Sequence, residues 1–233
     1  MAGKQGWISD IVRADTMSEK TDERRAPDAT IYRLSLYHCY LGELLRTGAP
    51  KRITSRELAE QLKIKEETVR RDVSFVGEIG RPGAGYDPRA MYDAFTEFLG
   101  IEEEYPIVKV GTAHVLEALD VVFPPNQYGI KPIAYFSEVP DDRGKVVGGI
   151  EVQHLADIPN VVPELGVDVA LVACSPGWIQ ITLDLLSQAG VGGVLLITPS
   201  VKVQVPEGME LTRVRMPCDI KSLACRCSIP AVR

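Results

Sequence analysis

No stretch of the chain approaches the roughly 20 consecutive apolar residues needed to cross a bilayer, although apolar residues make up 45% of its 233 positions. The amino-terminal segment also lacks the apolar centre of a secretory signal, so a cytoplasmic protein is expected. Cysteine is sparse and odd in number. The five, Cys39, Cys174, Cys218, Cys225 and Cys227, are scattered, which suits reduced thiols rather than a disulfide framework. Histidine occurs three times, as His38, His114 and His154. The Cys225-Arg226-Cys227 spacing is tighter than the two-residue gap usual between zinc ligands, so no metal site is expected. Ser175-Pro176-Gly177-Trp178 lacks the flanking glycines of a nucleophile elbow, and no Ser–His–Asp set is evident. An enzyme is therefore not expected. There is no internal repeat and no low-complexity tract.

Charge is unevenly divided. The whole chain carries a formal −6. Residues 30–99 hold 11 Lys/Arg against 10 Asp/Glu, whereas residues 100–233 hold 10 against 16. The acidity belongs to the second half, and a local basic patch in the first half remains compatible with nucleic acid.

The first half reads as helices. Residues 1–29 are polar and aperiodic, a flexible leader. Ile31, Leu34, Tyr37, Leu41, Leu44 and Leu45 recur at helical spacing and predict a helix from about Thr30 to Arg46. Thr54-Ser55-Arg56-Glu57 is a capping box, opening a helix over Ser55–Leu62. A tight turn at Lys63-Ile64-Lys65 leads to a third helix, Glu66–Val76. Asp87-Pro88 is an N-cap and first-turn pair for a fourth, ending near Leu99-Gly100. The order is that of a helix-turn-helix. Between the third and fourth helices lies Gly80-Arg81-Pro82-Gly83-Ala84-Gly85-Tyr86, a basic glycine-rich loop placed like a wing.

In such a module the amino-terminal end of the recognition helix meets base edges. Arg70 and Arg71, about 100° apart on the helix, divide the work: one reads a guanine edge and the other clamps a phosphate. Thr68 and Ser74 offer hydroxyls. Lys51, Arg52 and Arg56 hold flanking backbone, and Arg81 reaches into a minor groove. Val69, Val73 and Val76 face the core. Asp72 serves as an ion-pair partner that fixes an arginine. Lys65 completes the basic set read from this half.

From Tyr105 the pattern changes to short β-branched runs alternating with helices, which predicts a parallel sheet covered on both faces, a Rossmann-like doubly wound α/β unit. Strands are expected at Ile107–Gly111, Ile133–Ser137, Val167–Cys174 and Gly193–Thr198, with a small one at Gly148–Val152. Helices are expected at about 113–122 and 177–189, an antiparallel edge at Val201–Val205 with Leu211–Val214, and a closing helix at about Cys218–Ser228. Gly111-Thr112-Ala113-His114-Val115-Leu116 stands where a dinucleotide turn belongs. The first glycine of that motif is present; Ala113 and Leu116 replace the second and third. Ser175 follows a strand and opens a helix, so its amide faces a ligand at the strand ends.

Taken together, Arg33-Leu34-Ser35-Leu36-Tyr37, Ser55-Arg56-Glu57-Leu58-Ala59, Thr68-Val69-Arg70-Arg71-Asp72 and Gly80–Asp87 resemble the amino-terminal domain of the Rex family of redox-sensing transcriptional repressors. The likeness runs through nearly all of residues 31–228, including Gly148-Gly149-Ile150-Glu151-Val152, Val205-Pro206-Glu207-Gly208 and Ser222-Leu223-Ala224. The resemblance implies a winged-helix domain at 30–100, a Rossmann-like domain at 101–215 and a carboxy-terminal helix at 216–233 that swaps into a partner copy. It implies a homodimer on double-stranded operator DNA, released by NADH and permitted by NAD+. It adds Arg33 to the DNA contacts. Its cofactor site would comprise Gly111, Thr112, Ala113, His114, Val115, Leu116, Ser137, Cys174 and Ser175.

Four departures from the family touch that site. The turn has lost two glycines. Ser137 stands where the family has an aspartate for the ribose, with Glu138 one residue late. Residues 118–123 lack the tyrosine linked to sensing, and Arg215 replaces an aspartate. The expectation is a repressor whose NAD(H) sensing is weakened or lost. The alternatives are an NAD(P)-dependent oxidoreductase and a ligand-free architectural protein, with another adenine nucleotide as a further candidate ligand.

Overall fold

The structure, a computed structural model, describes residues 26–80, 85–101, 104–124, 128–198 and 202–228. The chain forms two compact units, Met1–Glu103 and Glu104–Arg233. Arg81 and most of the leader fall outside the described residues.

The first unit contains α1 (Asp28–Thr47), α2 (Ser55–Leu62), α3 (Glu66–Val76) and α4 (Pro88–Leu99). The capping box forms: Thr54 Oγ1 accepts from the Glu57 amide at 3.2 Å, and Glu57 accepts from the Thr54 amide at 2.6 Å. Lys63 closes α2 in a left-handed conformation, φ 54°, and this turn directs the chain into α3. Asp87 caps α4 through the amides of Arg89 and Ala90. The buried faces of the four helices meet at Leu34, Tyr37, Leu58, Val69, Met91 and Phe95. Val69 and Val73 are buried and Val76 packs partly against them, as the 3.6-residue period requires. Beyond α3, the base of the glycine loop is fixed by an antiparallel bridge in which Ile53 and Tyr86 exchange both backbone hydrogen bonds, at 2.9 and 2.7 Å. Gly85 sits in this bridge at φ +69°, where a Cβ would stand 3.1 Å from the Ile53 carbonyl oxygen. Only glycine meets both conditions without strain.

The second unit is a seven-stranded sheet of order β3-β4-β2-β1-β5-β6-β7, formed by β1 (Tyr105–Val110), β2 (Ile130–Ser137), β3 (Val146–Val147), β4 (Ile150–His154), β5 (Val169–Val172), β6 (Gly193–Ile197) and β7 (Glu210–Val214). Every neighbouring pair is parallel except the β3–β4 hairpin. The helices are α5 (Ala113–Val122), α6 (Ile158–Leu165), α7 (Ile179–Gln188) and α8 (Met216–Ser228). Two expectations change. Residues 202–206 form no strand, and Glu210–Val214 pairs parallel with β6 rather than making an antiparallel edge. Helix α6 was not anticipated, because Pro159 and Pro163 mask its apolar period; Pro159 lies in the first turn, where no intrahelical donor is missed.

The sheet core packs around Val108, Val110, Phe136, Val172, Leu183 and Leu196. Beneath α5 a buried ion pair pins the helix to the sheet. Lys109 Nζ lies 2.5 Å from Asp120 Oδ1, and the Tyr135 hydroxyl donates to Asp120 Oδ2. Lys109 is 3% exposed, so breaking the pair would leave an uncompensated buried charge. No helix among the described residues is long and apolar enough to cross a membrane.

Candidate functional site

Two regions bear the expected chemistry, one in each unit. In the first, α3 presents its amino-terminal half outward. The Arg70 and Arg71 side chains are 62% and 71% exposed. Each rests on a glutamate one turn earlier: Arg70 lies 2.9 Å from Glu66, and Arg71 lies 3.8 Å from Glu67. Exposed pairs of this kind contribute about 0.3–0.5 kcal/mol, so they hold the guanidinium groups out without preventing a stronger partner from taking them. Arg56, 74% exposed, stands 3.7 Å from Glu66 on the same side. Lys51, Lys65 and Ser74 are exposed, and Thr68 is half-buried. The Ser74 hydroxyl turns back to the Arg71 carbonyl. Arg52 is exposed and donates to the Gly85 carbonyl at 3.0 Å, tying the wing base to the start of α2. A groove of about 800 Å³ runs between the α2 amino terminus, α3 and that base, lined among others by Arg56, Arg70, Ser74 and Tyr86.

Arg33 departs from expectation. Its Nε donates to Asp72 Oδ2 at 2.6 Å and its Nη2 to Asp72 Oδ1 at 2.7 Å. Thr30 and the Tyr37 hydroxyl complete the shell of Asp72, which is fully buried. Burial alone pushes the Asp72 carboxyl up, but hydrogen bonds from Arg33, Tyr37 and Thr30 outweigh it and hold it below the ordinary range. Burial, together with the Asp72 carboxylate, raises the Tyr37 phenol. Asp72 does fix an arginine, as its position in the sequence led us to expect. The arginine is Arg33, whose bidentate fork locks α1 to α3 instead of facing outward. Arg81 lies outside the described residues.

In the second unit the crevice lies at the carboxyl ends of β1, β2 and β5, where the strand order reverses. Open α/β sheets bind ligands at this switch point. Gly111 follows β1 closely packed: a Cβ there would sit 3.2 Å from the Ala173 carbonyl oxygen, tighter than most side chains come. Thr112 caps α5, accepting from the Val115 amide at 3.4 Å. His114 is exposed and Val115 half-buried. Leu116, in the third glycine's place, is wholly buried against Ala113, Tyr135, Val147 and Val152. It is a packing residue with no face toward the crevice mouth. Cys174 also faces away from the crevice. It is buried in the sheet core, its Sγ is 3.6 Å from Thr182 Oγ1, and burial pushes its thiol up, so it behaves as a small apolar side chain.

Ser137 and Ser175 do reach the crevice, and each is already engaged. The Ser137 hydroxyl is buried and donates to Asp142 Oδ2 at 2.7 Å. Asp142 Oδ2 also accepts the Ala113 amide at 2.8 Å, and Oδ1 accepts from Lys145 at 2.7 Å. Burial raises Asp142, but Lys145, the Ala113 amide and Ser137 together lower its pKa to about 2. Glu138, one residue late in the sequence and on an extended strand, would be expected to point the other way from Ser137. Instead it extends past the end of β1 to the loop after β5, where Oε1 accepts the Ser175 amide and hydroxyl, both at 2.9 Å. Neither Asp142 nor Glu138 was read as a crevice residue. The acidic run Glu138–Asp142 was the available signal, but only the 3₁₀ turn at Pro140–Asp142 brings its last carboxylate back to α5.

The carboxy-terminal helix α8 is exposed along its described side chains, with Met216, Ile220 and Leu223 at 56%, 66% and 55%. Cys218, Cys225 and Cys227 lie on it as exposed free thiols. Among the described residues no group of three or more His, Cys, Asp or Glu side chains is placed to hold a metal.

The chain is similar to known proteins in both halves. Residues 25–74 match the family described as "Putative DNA-binding protein N-terminus". The redox-sensing transcriptional repressor Rex of Roseiflexus sp. (strain RS-1) is 33% identical over 183 residues, covering 78% of this chain and 82% of that protein. The repressor of the same name from Listeria welshimeri is 32% identical over 207 residues, covering 89% and 94%. The crystal structure of RSP in complex with β-NAD+ and operator DNA superposes with a TM-score of 0.75 at 26% identity, covering 87% of this chain and 93% of that one.

Proposed function

Because this chain belongs to the Rex family of redox-sensing transcriptional repressors, we propose that it is a DNA-binding repressor that grips operator DNA as a homodimer, with NAD(H) sensing weakened or lost. The observation that carries the DNA half is the outward amino-terminal half of α3. Arg70 and Arg71 stand exposed on a helix whose orientation is fixed from behind by the Asp72–Arg33 fork. Residues 30–100 form the DNA-binding part, with Arg56, Lys51, Lys65 and Arg52 around the recognition helix, Thr68 and Ser74 adding hydroxyls, and Arg81 entering a groove from the wing. Residues 101–215 form the former sensor. Residues 216–233 supply the dimer contact, supported by the exposed Met216, Ile220 and Leu223 on α8, a row that a second copy would cover. A protein of this kind acts in the cytoplasm on chromosomal DNA. A regulator is favoured over an enzyme because Asp142 is engaged by the Ala113 amide, Ser137 and Lys145, and Glu138 by the Ser175 amide and hydroxyl.

The fit to a dinucleotide is poor. Its diphosphate needs free amides at the start of α5, and the Ala113 amide already serves Asp142. Its ribose needs an open acceptor after β2, where the chain has Ser137 donating inward. Two measurements test the proposal. Gel shift against an AT-rich palindrome with excess polyanion competitor is expected to show preferential retention of the palindrome; equal displacement from all duplexes would refute the repressor reading. NADH titrated onto the protein is expected to bind far more weakly than micromolar, and micromolar binding with release from DNA would refute the weakened sensing.

A further inference from the structure

The ligand crevice of the second unit carries negative charge of its own where a dinucleotide would bring phosphates. We infer that Asp142 and Glu138 are tethered anions that take the diphosphate's place and exclude NAD(H) from the crevice. The inference rests on the reading of this unit as a sensor with weakened nucleotide binding and says what weakens it.

Helix α5 runs for ten residues from Ala113, and its amino terminus favours an anion through its free amides and its dipole. Asp142 satisfies that preference from within. Its Oδ2 sits 2.8 Å from the Ala113 amide nitrogen and its Oδ1 faces Lys145. Three hydrogen bonds already engage its two oxygens and the residue is 4% exposed, so a ribose diol has little access to it. That separates a plug from a relocated ribose-binding acid. Glu138 is the independent observation. It is also 4% exposed, and it crosses the end of β1 to reach Ser175. Its Oε2 is buried with no hydrogen-bond partner, and no cation pairs with it among the described residues. A buried carboxylate oxygen left unmatched is costly, and a phosphate brought beside it would meet like charge in a region of low dielectric. One lost glycine explains little by comparison: Ala113 adds a single methyl, whereas Asp142 occupies the amide at the start of α5 and Glu138 leaves a carboxylate oxygen without a partner beside Ser175.

The test is titration of the full-length protein with NADH and, separately, with inorganic pyrophosphate. Asp142→Asn keeps an acceptor for the Ala113 amide and Ser137, removes the charge, and releases Lys145 to face the anion. Glu138→Gln keeps an acceptor for Ser175. Each variant is expected to bind pyrophosphate and NADH about tenfold or more tightly than the unsubstituted protein, on like-charge grounds, and the double variant more tightly still. Thermal melting followed by circular dichroism checks folding, and Glu138→Gln carries the test should Asp142→Asn melt. Variants that bind no better than the parent overturn the inference while leaving weakened sensing intact. Loss of binding in Asp142→Asn also overturns it and makes Asp142 the acid that holds the ribose. Micromolar NADH binding by the parent overturns weakened sensing itself.

Discussion

The two units handle charge in opposite ways. In the first, the working cations point out: the Arg56, Arg70 and Arg71 side chains are 74%, 62% and 71% exposed, each resting on a glutamate of α3. In the second, the charges that matter point in. The side chains of Lys109 and Asp142 are 4% and 6% exposed, each paired with a partner from the same unit. An exposed, weakly paired arginine remains available to a polyanion. A buried, hydrogen-bonded carboxylate is closed to a partner arriving from outside. The difference teaches that one unit leaves its charges open to a partner, whereas the other spends its charges on bonds within its own fold.

The first unit does contain one inward exception, the Asp72 cluster, and it offers the sharpest test of the contrast. Asp72→Ala strands Arg33 with no carboxylate, leaves the Tyr37 hydroxyl without its acceptor and leaves the Thr30 hydroxyl with its Arg33 contact alone. A loss of about 3–5 kcal/mol in urea denaturation is expected, with α1 and α3 loosened together. A loss below about 1 kcal/mol would mean the cluster is no more than another surface pair.

The outward cations come next. Arg70→Ala is expected to weaken operator binding by about 1–3 kcal/mol if its fork reads a base edge, with little change in folding stability because its pair with Glu66 is exposed. Measuring operator and random duplex side by side sharpens the assignment. Unequal loss marks Arg70 as a base reader, and equal loss moves it to phosphate and leaves Arg71 as the reader.

The smallest expected effect is in acid. Asp142 titrates in the folded chain at about 2, below the roughly 3.9 of an unfolded aspartate. Its contribution to stability is therefore complete above about pH 4 and is lost as pH falls toward 2. Asp72 is shifted in the same direction. Melting temperature followed from pH 5 to 2 is expected to fall, and Asp142→Asn is expected to flatten the part of that fall belonging to the second unit. An unaltered profile would mean that Lys145 and the Ala113 amide do little to hold the charged form.

Much of this was legible beforehand where the cause is local. The capping box that opens α2 at Thr54 and the Asp87-Pro88 start of α4 follow from side chains bonding to amides within a few residues, and such contacts leave a direct trace in sequence. The parallel sheet was legible because alternating β-branched runs and helical periods admit few architectures. What escaped depended on long-range partners. Arg33 and Asp72 are 39 residues apart, and only the packing of α1 on α3 reveals that the arginine faces inward. The pairing of β7 with β6 was set by neighbouring strands rather than by its own residues. Leu116 and Cys174, taken as crevice residues from their place in a motif, are buried in cores.

The order of elements, the cationic helix with its capped neighbour, the lost glycines and the lost aspartate after β2 were determined by the sequence alone, because each is a matter of residue type at short spacing. How the crevice residues are engaged was decided only in three dimensions. Glu138 reaches a loop two strands away, and Asp142 reaches a helix start 29 residues earlier; such contacts exist only once the sheet has formed and its carboxyl ends have been brought side by side.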